Sequence, residues 1–391
     1  MYTSTYPTSM SKRHDALHPK SHMNLPAELL DAFDAEGGQG VVAFVGSGPS
    51  CDAGLPNWAN LLEHVAMDVG LYEEVKPHIR SGRLIEVAQF LSMERSERAI
   101  QERVANEIKR ASAGPGRLHR LIVGLPFDGI ITTNYDLLLI EADAARRFQI
   151  PITYKTSGLS EHIHQRFVLH LHGHINDTET IILSRQSYDH ILLDNDRVRH
   201  FVNAVFQTRR VLFIGFGFID PNVDTILRDL SHLKVIGASS VFALVPCGKT
   251  VDRVVDASLR YRSINPIYVR DRGDHGTGEL CEWLGHLAGT LHRIAESKAN
   301  SARKLRSDDV TNQIGDLLVS DEWLPLFGEA VLMLRDRPDL TRLTRPGLRR
   351  QDVDRIFARL SLDEMRSILV FVCNKRRHAV LEDALSCFPP F

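Results

Sequence analysis

Cysteine is scarce in this sequence, and its spacing argues against two kinds of site. The five cysteines are Cys51, Cys247, Cys281, Cys373 and Cys387, and no two of them form a C-x-x-C pair. A structural zinc site and a disulfide framework usually need closely spaced or paired cysteines. We therefore expect neither of them, and no zinc, in this protein.

Long hydrophobic runs and a strong net charge are also absent. Residues 1–24 are polar. A membrane span needs about 18 consecutive apolar residues, and no later run in the sequence is nearly that long. We expect a cytoplasmic protein without membrane contact, whose residues 1–24 form a flexible tail. The 47 Lys and Arg residues nearly balance the 49 Asp and Glu residues, which gives no overall electrostatic reason to bind nucleic acid.

Six short runs rich in apolar and β-branched residues predict the strands of a parallel sheet. Segments with helical periodicity separate these runs, and this alternation is typical of a sheet covered on both faces. The predicted strands are residues 41–46, 129–133, 167–173, 211–217, 241–246 and 265–270. The sequence therefore predicts an α/β fold with a Rossmann-like, doubly wound parallel sheet.

Helical patterns predict two further parts of the chain. One helix is predicted after Pro56, and the charged and apolar repeats that follow predict a helical small lobe at about 60–118. Further helices are predicted over 195–209 and after Pro221, and from about residue 300 the strand-like runs stop. We predict a main domain over 25–296, a polar linker from 296 to 309 and a C-terminal helical domain over 310–391.

The first predicted strand ends in a glycine-serine loop. Gly46 and Gly48 allow backbone amides to approach an anion closely, and Ser47 and Ser50 add hydroxyl donors. The loop departs from the dinucleotide-binding pattern G-x-G-x-x-G, because Cys51 stands where the third glycine would be. Ligands of open parallel sheets bind at the carboxyl ends of the strands, so a ligand is expected here.

The next two strand ends carry amide, carboxylate and imidazole groups. Asn134 and Asp136 directly follow the second predicted strand, although Asn and Asp are also common at turns for local reasons. The histidines His170, His172 and His174 alternate in VLHLHGHIND, and they share one face if the strand continues. A single histidine here is more often a core residue, but three in alternation favour a functional site.

The fourth end is the segment VLFIGFGFIDPNV. Gly215 and Gly217 predict a second loop that allows close backbone approach, and Asp220 precedes Pro221. Asp220 is equally well interpreted as the N-cap of the following helix.

Taken in order, these motifs resemble the sirtuin family, in particular the sirtuin-like NAD hydrolase domains of bacterial antiphage defence systems. The resemblance covers roughly residues 25–296 and rests on four short motifs. They are GSGPS with the later GLP at 54–56, TTNYD at 132–136, LHG at 171–173 and GFGFIDPN at 215–222.

The resemblance implies that NAD is the substrate and that no zinc is bound. By this resemblance Asn134 and Asp136 orient the nicotinamide ribose and a water, and His172 is the general base. The residues implied in NAD binding are Gly46, Ser47, Gly48, Ser50, Pro56, Trp58, Thr133, Gly215, Phe216, Gly217 and Asp220.

Two departures separate this sequence from the protein deacylases of the family. Those enzymes carry a zinc module of two C-x-x-C pairs, and the helical small lobe takes its place here. Their D-F-R motif is replaced by Asn57, Trp58 and Ala59, so the usual acyl-peptide arrangement is not expected. Both departures also occur in the sirtuin-like NAD hydrolases.

The expected function is cleavage of NAD to nicotinamide and ADP-ribose, or to a cyclised product, with NAD depletion as an antiphage defence. The alternatives are an NAD- or ADP-ribose-binding signalling module, an NAD-dependent deacylase and a metal-dependent hydrolase. The H-x-H-x-D-H spacing of metal hydrolases fails, because His174 stands at the aspartate position and Ile175 at the last histidine position.

The C-terminal region predicts protein contact. Arginines are dense between 335 and 359, but interspersed aspartates and the lack of aromatic interleaving favour a protein interface over nucleic acid. Because a permanently active NAD hydrolase would be toxic to its own cell, we expect a trigger. The resemblance implies a homo-oligomer with a partner protein, and a HerA-type ATPase is the expected partner.

Overall fold

The computed structural model of the chain describes residues 24–33, 40–111, 114–143, 151–189, 195–216, 241–271 and 277–305. Further along it describes residues 317–318, 323–334, 337–344, 348, 350–376, 378, 381–382 and 385. The chain divides into two compact units, residues 1–288 and residues 289–391.

The described part of the first unit is built on a seven-stranded parallel sheet. Its strands are β1 Val41–Val45, β2 Gly129–Thr132, β3 Pro151–Thr153, β4 Phe167–His170, β5 Arg210–Ile214, β6 Val241–Cys247 and β7 Asn265–Arg270. Their order is β3-β4-β2-β1-β5-β6-β7, and every pairing between them is parallel. This arrangement confirms the predicted Rossmann-like α/β fold.

Strand β1 lies at the topological switch point of the sheet. It pairs with β2 on one side and β5 on the other, so the chain leaves β1 and β5 in opposite directions. A crevice opens at such a point, outside the carboxyl ends of the two strands. The glycine loops that follow β1 and β5 therefore meet at the place where this fold binds ligands.

One strand was not predicted, and two strands, β4 and β5, end three residues before their predicted ends. Strand β3 has only three residues and begins at Pro151 on the edge of the sheet, so it leaves no periodic signal. Strand β4 ends at His170 because the chain turns directly afterwards. The amide of Gly173 donates to the carbonyl of His170 over 3.0 Å, and Gly173 has a φ of 77°.

Helices cover the sheet and form the small lobe. They are α1 Ala27–Ala32, α2 Gly48–Asp52, α3 Trp58–Asp68, α4 Tyr72–Arg80, α5 Leu84–Arg95, α6 Glu97–Ala111, α7 Arg117–Gly124, α8 Leu138–Ala142, α9 Arg185–Asp189, α10 Asp196–Thr208, α11 Arg253–Tyr261 and α12 Thr277–Leu305. The helical small lobe consists of helices α3 to α6, from Trp58 to Ala111, and its predicted bounds at about 60–118 stay a prediction. The helix predicted after Pro221 lies outside the described residues.

Helix α12 continues through the first part of the predicted linker. The two compact units divide at 288 and 289, within this helix, and it ends at Leu305. The domain boundaries at 296 and 310 stay predictions.

A fully apolar strand, β1, lies at the centre of the sheet. All five residues of β1 are buried, as expected for a central strand covered on both faces. The ring of Phe44 stacks on Phe213 with centroids 4.8 Å apart, and Phe216 meets it edge-on at 5.6 Å. The helical small lobe has a separate apolar cluster that includes Leu62 and Ile100.

The described part of the second unit is helical. Its helices are α13 Leu324–Leu332, α14 Pro338–Thr341, α15 Arg350–Phe357 and α16 Leu362–Lys375. Phe327 and Phe357 stack in its core with ring centroids 5.6 Å apart. The Arg337 guanidinium donates to both carboxylate oxygens of Glu364 at 2.7 Å, so this arginine of the basic stretch is ion-paired.

Of the helices that the structure describes, none is both long enough and apolar enough to cross a membrane.

The packing around Phe44 predicts a large loss of stability when its ring is removed. Phe44→Ala should lower the free energy of unfolding by about 3–5 kcal/mol, because the buried ring leaves a cavity. Met93→Ala is the control: its side chain is 75% exposed, and its effect should stay within about 0.5 kcal/mol. Urea unfolding followed by far-UV circular dichroism measures both, and equal midpoints for the two variants would contradict the described core.

Candidate active site at the carboxyl edge of the sheet

The loops after β1 and β5 are packed directly against each other. The Gly46 amide donates to the Ile214 carbonyl at 3.0 Å, and the Gly48 amide donates to the Gly215 carbonyl at 2.9 Å. A Cβ atom on Gly46 would lie 2.5 Å from the Gly215 oxygen, and one on Gly215 would lie 2.5 Å from Pro49 Cδ. The glycines therefore allow two backbones to approach.

This packing also determines where two amides of the glycine loop donate. The amides of Gly46 and Gly48 donate to protein carbonyls, so these two N–H groups are engaged within the protein rather than directed at an anion. Ser47 is exposed in the same loop, and its contact with a ligand stays a prediction.

Asn134 joins the end of β2 to the loop after β1. Its side-chain nitrogen donates to the Gly46 carbonyl at 2.8 Å and to the Ser50 hydroxyl at 2.9 Å. Both amide hydrogens are then committed to protein acceptors, which leaves Oδ1 as the side-chain atom for a ligand. The Asn134 backbone amide also donates to the Thr132 hydroxyl at 3.1 Å.

Ser50 links Asn134 to Asp136. The Ser50 hydroxyl accepts from Asn134 and donates to Asp136 Oδ2 at 2.7 Å, while the Leu138 amide donates to Asp136 Oδ1 at 3.1 Å. Burial raises the pKa of the Asp136 carboxyl, and the hydrogen bonds from Ser50 and Leu138 oppose that shift. Both carboxyl oxygens accept from the protein, which makes Asp136 an anchor for Ser50.

The three alternating histidines do not lie on one strand face, because β4 ends at His170. The His170 ring nitrogen Nδ1 lies 3.0 Å from the Asn134 carbonyl oxygen, and burial lowers the pKa of His170 to about 4. The ring of His174 meets the ring of His170 at 5.5 Å, and burial also lowers the pKa of His174.

His172 lies in the turn after β4 and is 2% exposed. Its ring meets the ring of Tyr188 edge-on, with centroids 5.1 Å apart. Its carbonyl accepts from the Ile182 amide at 3.0 Å. Because β4 pairs with β2 up to the level of Thr132 and His170, His172 follows at the same sheet edge as Asn134.

The remaining predicted ligand contacts surround this edge where the structure describes them. Trp58 begins α3 and lies 6.0 Å from Tyr135 between ring centroids, and Pro56 and Thr133 are half-buried. Phe216 packs on the β1 and β5 aromatics. Gly217 and Asp220 lie outside the described residues.

Sequence reasoning missed the contacts that hold the His172 turn. The Gln101 side-chain nitrogen of α6 donates to the Ile181 carbonyl at 2.7 Å, and the Tyr135 hydroxyl donates to the Ile182 carbonyl at 2.6 Å. Tyr135 lies inside the TTNYD motif, so its position in the sequence could have marked it as a site residue. Gln101 gave no signal, since its partner lies 80 residues away.

Among the described residues, no cluster of three or more His, Cys, Asp or Glu side chains is arranged to hold a metal ion.

The contact between the two glycine loops predicts that adding one methyl group at Gly215 destabilises the protein. Gly215→Ala adds a Cβ at a φ of 61° and against Pro49, and should lower the free energy of unfolding by about 1–3 kcal/mol. The matched control is Gly124→Ala at the end of α7, where a Cβ meets nothing within 4 Å. Denaturant unfolding of both variants tests this, and an unchanged Gly215→Ala midpoint would contradict the loop packing.

Comparison with known proteins identifies relatives of this arrangement. Residues 128–267 match the model of the SIR2-like domain. The chain is 27% identical over 196 residues to a protein named NAD(+) hydrolase ThsA of Enterococcus faecium, covering 48% of this chain and 39% of the relative. The protein of that name from Bacillus cereus is 27% identical over 188 residues, covering 47% and 38%.

A further relative carries a different name. The protein named Defense-associated sirtuin 2 of Bacillus subtilis is 22% identical over 198 residues, covering 50% of this chain and 19% of the relative. The chain spans less than half the length of each of these curated relatives. The sirtuin-like resemblance is confirmed as a resemblance: residues 128–267 match the model of the SIR2-like domain, and the chain is similar over about half its length to proteins named as NAD(+) hydrolases and as a defence-associated sirtuin.

Proposed function

We propose that this protein is an NAD glycohydrolase that cleaves the bond between nicotinamide and ribose, releasing nicotinamide and ADP-ribose. The observation that carries the proposal is the fixed amide of Asn134 at the switch-point crevice, with both its hydrogens bound to the β1 loop. The similarity to relatives named NAD(+) hydrolase supports NAD as the substrate.

The chemistry of this bond sets modest demands on the protein. The leaving group is a cationic pyridinium, and the transition state resembles an oxocarbenium ion, so little nucleophilic push is needed. The site must hold the ribose, exclude bulk water and admit one water at the anomeric carbon. A buried amide and a buried imidazole at one sheet edge suit this task.

Asn134 is proposed to orient the reacting groups. Its Oδ1 accepts a hydrogen bond from a ribose hydroxyl or from the attacking water, because its two amide hydrogens are held by Gly46 and Ser50. An amide does this without adding charge beside the developing oxocarbenium ion. Asp136 is proposed to act on Asn134 through Ser50 rather than on the substrate.

His172 is proposed to be the general base. A neutral imidazole accepts a proton from a ribose hydroxyl or from the water, and such a transfer contributes about 10²- to 10⁴-fold to the rate. The edge-on contact with Tyr188 limits the orientations of the ring. The carbonyl bond to Ile182 holds the backbone of the turn.

The role in the cell is proposed from the chemistry and from the relatives. An enzyme that destroys NAD must be silent until triggered, and the name of the Bacillus subtilis relative supports a defence role. We propose a cytoplasmic effector that depletes NAD during phage infection, acts as a homo-oligomer and is controlled by a partner, with a HerA-type ATPase as the candidate.

Loss of either reacting side chain should abolish cleavage. Asn134→Ala and His172→Ala should each lower nicotinamide release by about 100-fold or more, because orientation or proton transfer is lost. His164→Ala is the control, since His164 is an exposed histidine outside the site, and it should match the wild type. Chromatography of NAD incubated with the full chain, alone and with its partner, measures all four proteins.

Two outcomes would overturn the proposal. Undiminished release by Asn134→Ala or His172→Ala would remove the role assigned to that residue. NAD that binds to the wild type but is not cleaved, with and without the partner, would instead favour a binding module.

The link through Ser50 gives a separate prediction. Ser50→Ala leaves a hydrogen of the Asn134 amide and the Asp136 carboxyl without their partner, so it should cost about 1–3 kcal/mol of stability. It should also lower kcat about tenfold, which corresponds to about 1.4 kcal/mol. Ser81→Ala removes an exposed hydroxyl bond to His78 and should change neither quantity, so equal effects of the two variants would contradict the link.

A further inference from the structure

His170 contacts the peptide of Asn134 from the neighbouring strand. It is the last residue of β4, is fully buried and pairs in register with Thr132 of β2. Its Nδ1 lies 3.0 Å from the Asn134 carbonyl oxygen. Because a carbonyl only accepts hydrogen bonds, Nδ1 must carry the hydrogen.

The surroundings of Nε2, the other nitrogen of the His170 ring, determine whether the ring is charged or neutral. Nε2 is buried and has no hydrogen-bond partner among the described residues. A protonated ring would place a second N–H donor at this position without an acceptor, which is costly inside a protein. The ring is therefore neutral, as the Nδ1–H tautomer.

Four hydrogen bonds then hold Asn134 through its backbone nitrogen, its side-chain amide and its carbonyl oxygen. Thr132 holds its backbone nitrogen, and Gly46 and Ser50 hold its side chain. His170 holds its carbonyl oxygen, which sets the plane of the peptide that leads to Tyr135. This contact restrains the backbone dihedral ψ of Asn134, so the backbone and the side chain of the residue are held together.

We propose that His170 is a positioning residue for the cleavage reaction: its neutral Nδ1–H group clamps the Asn134 peptide and so keeps the Asn134 amide oxygen directed at the ribose. This inference rests on the proposed function of Asn134. His170 itself does not touch the substrate, in contrast to His172.

His119 provides a matched control within the same chain. It is also fully buried, and its Nε2 also has no hydrogen-bond partner among the described residues. The Gly116 amide donates to its Nδ1 at 3.2 Å, so this nitrogen accepts and the ring must be the Nε2–H tautomer. The two buried histidines are thus expected in opposite tautomers, and only His170 contacts Asn134.

The tautomers can be measured without any activity. Nitrogen NMR of the full chain labelled at histidine should give a neutral Nδ1–H ring for His170 and a neutral Nε2–H ring for His119 near pH 7. The signals are assigned by their loss in His170→Asn and His119→Asn. An Nε2–H tautomer for His170, or a charged ring at this pH, would overturn the inference.

The catalytic consequence needs a variant that keeps the clamp and one that loses it. The amide nitrogen of asparagine lies at the same distance from Cβ as Nδ1 of histidine, so His170→Asn retains a donor, whereas His170→Leu does not. We expect His170→Leu to lower kcat about 10- to 100-fold and to change KM for NAD by less than about twofold. His170→Asn should recover kcat to within about threefold of the wild type.

The control variant separates positioning from folding. His119→Leu should destabilise the protein but leave kcat per folded molecule unchanged. Equal loss of kcat in His119→Leu and His170→Leu, or a folded His170→Asn as slow as His170→Leu, would overturn the positioning role.

The same measurements distinguish this inference from the proposed function. If the wild type releases no nicotinamide with its partner present, the proposed function is wrong. The kinetic role of His170 is then wrong as well, because it depends on that function. If cleavage is lost in Asn134→Ala but unaffected in His170→Leu, the inference about His170 fails alone.

Discussion

The pair of hydrogen bonds from the Asn134 amide to Gly46 and Ser50 is the contact on which the site depends. It joins the end of β2 to the loop after β1 across more than 80 residues of sequence. The same loop packs closely on Gly215, so the end of β5 is also held against it. Three neighbouring strand ends are thus held as one edge, and the amide oxygen of Asn134 is what remains for a ligand.

A second set of contacts holds the turn that carries His172. The segment Ile181 to Ile182 accepts from Gln101 of the helical small lobe and from Tyr135, and it donates to the His172 carbonyl. The hydroxyl of Ser184 also donates to Glu97 of α6 at 2.9 Å. The helical small lobe therefore supports the turn through ordinary hydrogen bonds.

Much of the fold was predictable because its strands are buried on both faces. Continuous apolar runs such as Val41–Val45 predict buried strands directly, and the polar residues that follow them mark the strand ends. The edge strand β3, of three residues and beginning with a proline, carries no such pattern.

The details of the site were less predictable, for a physical reason. The motifs made Asn134, Asp136 and His172 candidate site residues, but they could not show that Gly46 and Gly48 donate to protein carbonyls. They also could not show that Asp136 accepts from Ser50. These pairings depend on which loops the sheet order brings together, and local sequence does not encode them.

An experimental structure of the full-length His172→Ala variant with NAD, in which the substrate should survive, is the most direct test of the central claim. The account predicts the pyrophosphate beside the loop at 46–50 and the nicotinamide ribose within hydrogen-bonding distance of Asn134 Oδ1. NAD bound elsewhere on the chain, or a crevice that stays empty at saturating NAD, would contradict it.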